Sequence, residues 1–275
     1  MLESQPLPIR HSPPDTYDSL LDTLSTMGLI IDAHLDLAWN AVSFDRDQLL
    51  PVDQLRALEA HMTGKSRGNC TVSLPELRRG GIAVCLATVL ARAMPSPETW
   101  SERTAQKSLN HPNIGSRRRG ETILRENLDF ANQTIASAAA QAQLVYYQLL
   151  EQQGHLRMIR CASQLDELWS SWQHVSNDRE PIGFILSMEG TDPIVDPDHA
   201  SWWWDQGLRT ACLAHYGPSA HAMGTGGDGP LTETGTQLLK AFDRLGVVLD
   251  LVHTADTALF QALDRYDGPV YVSHG

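Results

Sequence analysis

Six short apolar runs divide the chain and predict buried β-strands. They occupy residues 29–36, 82–89, 182–190, 208–215, 247–253 and 269–274. The segments between them have the spacing of helices, and the runs are too far apart to be joined by hairpin turns. Strands that alternate with helices are typical of a parallel sheet or barrel, so the pattern predicts an α/β fold.

A large insertion separates the second and third of these runs. Its strongest feature is a helical segment from about residue 121 to residue 153, rich in Ala, Gln, Leu and Glu and followed by a glycine. Residues 156–161 then predict a short extra strand. We therefore expect a helical insertion at about 92–153 within a domain that covers residues 29–275, preceded by an N-terminal extension at 1–28.

Two shorter helices have recognisable ends. Ser163, with Asp166 three residues later, predicts a capping box that opens a helix. Residues 234–245 form an amphipathic segment that stops at Gly246, directly before the next strand. Both features fit helices that connect parallel strands.

The composition argues against several classes of partner. The 275 residues contain 21 Lys+Arg and 33 Asp+Glu, and the net charge of -12 disfavours nucleic acid and anionic membrane surfaces. No stretch approaches the roughly 20 apolar residues that span a bilayer, and residues 1–28 lack the apolar core of a signal peptide. The four cysteines form no CxxC pair, which argues against a thiolate metal site. We expect a cytoplasmic protein.

Histidines and carboxylates lie where the apolar runs end. The residues are His34, Asp36, Glu189, His215, His253 and His274. In a β/α barrel the C-terminal ends of the strands meet at one mouth, so residues that are far apart in sequence become neighbours. The sequence therefore predicts a single site at the carboxyl ends of the strands.

The residue types in this group favour a metal centre. His34 and Asp36 are two residues apart on a strand and share one face, so both can bind one ion. His253 and His274 can bind a second ion, and Glu189 can bridge the two. Imidazole and carboxylate ligands without thiolate suit zinc. This arrangement predicts a two-metal hydrolase.

Each of these residues also has a structural explanation. A single histidine after a strand is more often a core residue than a ligand. Glu189 could accept hydrogen bonds from loop amides, and Asp36 could cap a helix that starts near Leu37. All of these explanations must hold together if there is no metal site, and that coincidence favours the site.

Residues 224–229 match the glycine-rich pattern of dinucleotide-binding proteins. The match follows the strand that ends at His215 by several residues and does not open directly from it. The position predicts instead a loop that lines the mouth of the site.

The motifs at the strand ends resemble those of the membrane (renal) dipeptidase family, peptidase family M19, of the metal-dependent hydrolase superfamily. The segments are Ile31-Asp-Ala-His34-Leu-Asp36, Ser187-Met-Glu189-Gly190, Leu213-Ala-His215, Asp250-Leu-Val-His253 and Val272-Ser273-His274. The likeness runs from about residue 29 to the end of the chain, and the motifs stand in the family's order.

The resemblance implies a (β/α)8 barrel of the TIM type with two zinc ions per chain. His34 and Asp36 would hold one zinc, and His253 and His274 the other. Glu189 would bridge the two ions, and His215 would contact the substrate and the developing oxyanion. Members of the family cleave dipeptides by a hydroxide held between the metals, and the resemblance implies that Glu189 and His215 are the catalytic residues here. It also suggests a homodimer.

The chain departs from the family pattern after its last motif. The family continues with an arginine that binds the substrate carboxylate and an aspartate that handles a proton of the attacking water, whereas this sequence stops at Gly275. About six of eight barrel strands are present, so we expect a C-terminally incomplete barrel with an open sheet edge. We also expect either that the intact protein is longer or that the chain is a truncation with impaired folding and activity.

Two other functions stay open beside the dipeptidase. Another amidohydrolase-type barrel could act on acylated amino acids, lactones or phosphoesters, although many such barrels open with His-x-His where this chain has His34-Leu35-Asp36. The second alternative is a non-catalytic remnant that binds metal without turnover.

Overall fold

The computed structural model describes residues 28–64, 66–93, 128–174 and 180–275. The N-terminal extension that the sequence predicts lies, up to residue 27, outside the described residues. The first part of the predicted helical insertion, residues 94–127, lies outside them as well.

A parallel β-sheet of seven strands forms the centre of the fold. The strands are β1 (Ile30–Leu35), β2 (Ile82–Val89), β5 (Leu156–Met158), β6 (Ile182–Glu189), β7 (Leu208–Cys212), β8 (Val248–Asp250) and β9 (Val270–Tyr271), in the order β1-β2-β6-β7-β8-β9 with β5 beside the start of β6. A separate pair, β3 (Arg92–Ala93) and β4 (Asp129–Phe130), is also parallel. Each predicted apolar run thus contains a strand, and the extra short strand is confirmed.

Helices connect the strands. They are α1 (Leu37–Phe44), α2 (Val52–Glu59), α3 (Leu74–Arg79), α4 (Gln133–Gln152), α5 (Ala162–His174), α6 (Ala200–Asp205), α7 (Glu233–Leu245) and α8 (Asp256–Leu263), with a 3-10 turn at Pro197–His199. Among these helices none combines the length and the apolar character that a membrane crossing requires.

The sheet is curled into a half-barrel. Within the described residues β1 and β9 are its edge strands, so the complete eight-stranded barrel of the fold class is not seen. The curl nevertheless brings the carboxyl ends of both edges together, because the rings of His34 and His274 lie 4.3 Å apart between centroids. The apolar side chains of these edges stay exposed, Ile31 at 47% and Val272 at 62%.

The long helix α4 packs on β2 and on α1 through a buried tyrosine. Tyr147 stacks on Phe184 at 5.3 Å between ring centroids, donates a hydrogen bond to the Thr88 carbonyl and accepts one from the Ala38 amide. Burial raises the pKa of this phenol well above its ordinary value, so it remains a donor. The helix therefore holds in place the carboxyl end of β2.

The start predicted for this helix is wrong. Asn132 caps α4 by accepting a hydrogen bond from the Ile135 amide, which places the start more than ten residues after the predicted position. The reason is that Asp129–Phe130 is extended and pairs with β3. Pairing with a distant strand outweighs local helix propensity here.

Of the two helix ends predicted from capping residues, the C-terminal end of α7 is confirmed and the N-terminal end of α5 is wrong. Gly246, with φ 80, ends α7 in the left-handed conformation that glycine adopts without strain. Helix α5 already begins at Ala162, so Ser163 lies inside the first turn and is not the N-cap. Its hydroxyl lies 3.3 Å from the Cys161 thiol.

Candidate metal centre

The structure brings all six predicted site residues to one end of the sheet. His34 lies on β1 and Glu189 ends β6, whereas the other four residues follow β1, β7, β8 and β9 by one to three positions. Parallel strands make this possible, because all of their carboxyl ends point to the same edge.

Glu189 is the centre of the group. Its Oε1 atom lies 3.1 Å from His253 Nε2, 3.5 Å from His34 Nε2, 3.6 Å from His215 Nε2 and 3.8 Å from His274 Nε2. The Glu189 side chain is only 4% exposed. A buried carboxylate with four imidazole nitrogens around one oxygen is stabilised by positive charge, which a protonated imidazole or a bound cation can supply.

Two of the imidazoles face each other. The Nε2 atoms of His253 and His274 are 3.1 Å apart. Two unprotonated nitrogens at this distance repel each other unless a proton or a cation lies between or beside them. The close approach of these two nitrogens therefore favours a proton or a metal cation next to them.

Asp36 joins the group from the start of α1. Its Oδ2 lies 3.6 Å from His34 Nε2, and its Oδ1 accepts a short hydrogen bond from the Thr88 hydroxyl. Asp36 occupies the N-cap position of α1 but makes no side-chain capping bond. The capping explanation of this carboxylate is therefore wrong, and Thr88 and His34 account for its orientation.

One buried carboxylate fixes the backbone in front of two of the histidines. Asp250, at the end of β8, accepts hydrogen bonds from the Val252 and Ser273 amides, both at 3.1 Å. These amides directly precede His253 and His274 in sequence. The sequence assigned no role to Asp250, and the pairing of β8 with β9 explains its position.

Hydroxyl groups meet the far side of the same two imidazoles. Thr225 Oγ1 lies 3.0 Å from His253 Nδ1, and Ser273 Oγ lies 2.9 Å from His274 Nδ1. A hydroxyl can accept the Nδ1 proton of a histidine that uses Nε2 as a ligand. Sequence reasoning missed both hydroxyls, although Ser273 adjoins a predicted ligand and Thr225 lies in the glycine-rich loop.

That loop is confirmed at the mouth of the site. The Thr225 amide donates to the His215 carbonyl at 3.0 Å. A Cβ on Gly224 would lie 1.9 Å from the same carbonyl, so only glycine allows this approach. Gly224 thus allows the loop to pack closely against His215. His253, on the other side of this loop, has a backbone φ of 59, which is strained for a residue other than glycine.

The fourth imidazole has a different neighbour. Arg92 Nη1 lies 3.5 Å from His215 Nδ1 and donates to the Tyr216 carbonyl at 3.2 Å. Asp129 pairs with the same guanidinium at 2.6 Å. Arg92 and Asp129 are the paired residues of β3 and β4, so this small sheet ends at the site. Neither residue was predicted to take part, because each is isolated in sequence from the strand-end motifs.

The electrostatic environment shifts the pKa values of the imidazoles in different directions. Burial, followed by the neighbouring His253 and Arg92, holds the pKa of His215 well below its ordinary value. Burial also lowers the pKa of His274, with His34 as the next cause. For His34, burial opposes the charge, but the hydrogen bond to Asp36 and the attraction of Glu189 outweigh it and raise the pKa. Burial thus favours the neutral form of His215 and His274, whereas the two carboxylates favour the charged form of His34.

The donor set fits divalent metal ions. Two overlapping groups have ligand atoms within 4.8 Å of one another, one of His34, Glu189 and His274 and the other of Glu189, His215 and His253. Both groups share Glu189, as a bridging residue requires, and they contain nitrogen and oxygen donors that suit zinc. The grouping by distance differs from the pairing that the sequence suggested, and the assignment of ligands to individual ions stays a prediction.

The chain is similar to several known dipeptidases and metallopeptidases. An uncharacterized dipeptidase of Schizosaccharomyces pombe is 31% identical over 101 residues, which are 35% of this chain and 25% of that protein. A metallopeptidase from Rhodobacter sphaeroides, solved with a phosphinate mimic of the dipeptide L-Ala-D-Ala, is 19% identical with a TM-score of 0.59 over 90% of this chain and 65% of its own. The dipeptidase AC, an M19 metallopeptidase, is 20% identical with a TM-score of 0.58 over 90% and 64%.

These solved structures show the fold, and the chain spans less than two thirds of the length of either. The sequence pattern of the membrane dipeptidase family matches residues 21–275, which is most of the chain. The chain therefore belongs to the membrane dipeptidase family, peptidase family M19.

Proposed function

We propose that this chain carries the metal centre of a zinc-dependent dipeptidase that hydrolyses the peptide bond of dipeptides. The observation that carries the proposal is the convergence of four imidazole Nε2 atoms on one buried carboxylate oxygen, at 3.1 to 3.8 Å. Family membership supports the same activity.

The ligands in this proposal are the residues that the sequence suggested. His34 and Asp36 would hold one ion, His253 and His274 would hold the other, and Glu189 would be shared. Zinc bound by these residues would supply Lewis acidity towards a substrate carbonyl and a water molecule. In this proposal the chain's own residues orient the reacting groups, and His215 would donate to the carbonyl oxygen as negative charge develops on it.

A dipeptide is the proposed substrate. The ligand in the Rhodobacter sphaeroides relative mimics L-Ala-D-Ala, which makes this dipeptide a reasonable first compound to test here. Hydrolysis of other amides, lactones or phosphoesters is the alternative that the same donor set permits.

The proposal is tested by metal content and hydrolysis measured on the same preparation. We expect about two zinc ions per chain by elemental analysis and hydrolysis of dipeptides such as L-Ala-D-Ala. Glu189→Ala is expected to lose both ions and to reduce kcat/KM by at least about 10³-fold, which corresponds to about 4 kcal/mol. Glu167→Gln is a suitable control, because Glu167 is 65% exposed on α5 and pairs, among the described residues, with another surface residue, Arg157.

The outcomes separate the alternatives. Two bound ions without dipeptide hydrolysis would overturn the dipeptidase assignment. Turnover of lactones, phosphoesters or acylated amino acids in its place would identify another metal-dependent hydrolase. Failure of Glu189→Ala to change the metal content would remove Glu189 from the site.

A further inference from the structure

The four imidazoles around Glu189 differ in what their Nδ1 atoms meet. His253 and His274 face hydroxyls, Thr225 at 3.0 Å and Ser273 at 2.9 Å. His215 faces the Arg92 guanidinium at 3.5 Å. A hydroxyl either donates or accepts a hydrogen bond, whereas a guanidinium only donates.

This difference determines where the ring proton of His215 lies. A neutral imidazole carries one N–H, and the other nitrogen is an acceptor. If Nδ1 accepts from Arg92, the proton must lie on Nε2. That nitrogen points towards Glu189 Oε1 at 3.6 Å, and a protonated nitrogen has no lone pair for a metal ion.

Arg92 is held firmly enough to impose this choice. Its Nε donates to Asp129 Oδ1 at 2.6 Å, and its Nη1 also donates to the Tyr216 carbonyl at 3.2 Å. Its backbone amide donates to the Leu128 carbonyl at 2.8 Å as part of the β3–β4 pair. The side chain is 13% exposed and that of Asp129 is 15% exposed. The fork of the guanidinium therefore has little freedom to leave His215.

We propose that Arg92 is a positioning residue that holds His215 in the Nε2-protonated form, which is the form that the substrate contact implied by the family resemblance requires. The use of that contact in catalysis rests on the proposed dipeptidase function. The position of the proton is a property of the chain itself. It also decides between two interpretations of the geometry, because distance alone would place His215 among the ligands with Glu189 and His253.

The test is ¹⁵N NMR of the histidine rings in the full chain, with and without zinc. For His215 we expect a protonated Nε2 and an unprotonated, hydrogen-bonded Nδ1 in both states. For His253 and His274 we expect zinc to remove the proton from Nε2 and leave Nδ1 protonated. A His215 Nε2 that loses its proton and shifts as a ligand when zinc is added overturns the proposal.

Variants of Arg92 test its part directly. Arg92→Met removes the donor, so the His215 Nδ1 signal should move and kcat should fall by about 10- to 100-fold with the zinc content unchanged. Arg92→Lys keeps one donor, so the His215 Nδ1 signal should move less than in Arg92→Met and kcat should fall less. Ser273→Ala is the matched control, because it removes the hydroxyl beside His274 and should leave the His215 signals in place.

The failures of the two proposals are distinguishable. Unchanged His215 ring signals in Arg92→Met overturn the positioning role even if the protein hydrolyses dipeptides. The expected ring signals without dipeptide hydrolysis support the role of Arg92 and contradict the proposed function. If Arg92→Met does not fold, Asp129→Asn loosens the same guanidinium and is expected to give a smaller shift of the same Nδ1 signal.

Discussion

Two buried ionic clusters of this protein solve the same electrostatic problem in different ways. In the arginine cluster, Glu59 accepts hydrogen bonds from Arg46 and Arg67 at 2.8 to 3.0 Å and from the Gly68 amide at 2.7 Å. In the histidine cluster, His34, His215, His253 and His274 surround Glu189. Each glutamate is 4% exposed, so burial does not distinguish them.

The difference is the charge of the partners. Two guanidiniums, which remain charged, balance Glu59, and both also lie over the Phe44 ring at 4.8 and 5.6 Å. Glu189 is surrounded by imidazoles, and burial lowers the pKa of two of them, His215 and His274. The arginine cluster is complete by itself and stabilises the fold between α1 and α2. The histidine cluster offers nitrogen and oxygen ligands around one buried carboxylate, and we expect it to bind cations.

The largest expected effect is on the complete cluster. Glu59→Gln leaves the buried Arg46 without its carboxylate, and we expect a loss of about 4 kcal/mol in the free energy of unfolding. Urea denaturation measures this loss. As a control, Glu167→Gln on the surface of α5 should change stability by less than about 0.5 kcal/mol. An equally small effect of Glu59→Gln would show that the arginine cluster is not the structural one.

Zinc should act on the other cluster only. At a free zinc concentration of about 100 times the Kd, one occupied site raises the free energy of unfolding by about 2.7 kcal/mol. We expect this gain in the wild type and in Glu59→Gln alike, and its loss in Glu189→Ala. Thermal unfolding with and without a chelator compares the three proteins, and a gain that survives in Glu189→Ala would contradict the proposed site.

Acid should weaken the arginine cluster in a defined range. The hydrogen bond from Arg46 is the main cause that lowers the pKa of Glu59 from 4.5 to about 2. A lowered folded-state pKa gives stability that is fully present above pH 4.5 and is lost as the pH falls towards 2. The shift corresponds to at most about 3 kcal/mol. Because Arg67 is 24% exposed, screening reduces the expected loss to about 2 kcal/mol.

The measurement for this prediction is denaturant unfolding of the metal-free protein between pH 5 and pH 2. Glu59→Gln serves as the control and should lack this part of the pH dependence. Equal slopes for the wild type and the variant in this range would show that Glu59 is not the group responsible.

The smallest effect has the opposite sign. In metal-free protein at pH 8, Glu189→Gln removes a buried charge whose close partners are imidazoles and not guanidiniums. We expect it to stabilise the fold by about 1 kcal/mol, while it abolishes zinc binding. A destabilisation as large as that of Glu59→Gln would mean that the histidine cluster is already balanced without metal.

The sequence predicted the strands and the site residues for the same reason. A parallel α/β fold repeats one local pattern, a short apolar run followed by a polar residue at its carboxyl end, and each repeat can be recognised without knowledge of the others. The convergence of His34, Glu189 and His253 then follows from the direction of parallel strands. The C-terminal end of α7 could likewise be predicted from local sequence, because glycine is the residue preferred where a helix ends in the left-handed conformation, as at Gly246.

Contacts between distant segments were outside the reach of the sequence. Arg92 lies 123 residues from His215, and nothing in the residues near Arg92 indicates an imidazole. The start of α4 was misplaced because Phe130 pairs with β3, a choice made by tertiary structure against helix propensity. The sequence places Thr225 only in a glycine-rich loop. The close approach of Gly224 to the His215 carbonyl, which the sequence does not reveal, places the Thr225 hydroxyl beside His253.

The sequence by itself thus determined which residues form the strands and which side chains gather at their ends, because both are properties of short segments. Only the tertiary structure decided what each imidazole meets on its far side, and how a half-barrel brings His34 and His274 into contact. These depend on the curl of the sheet and on pairings such as β3 with β4, which arise from packing of the whole chain and not from the pattern of any one segment.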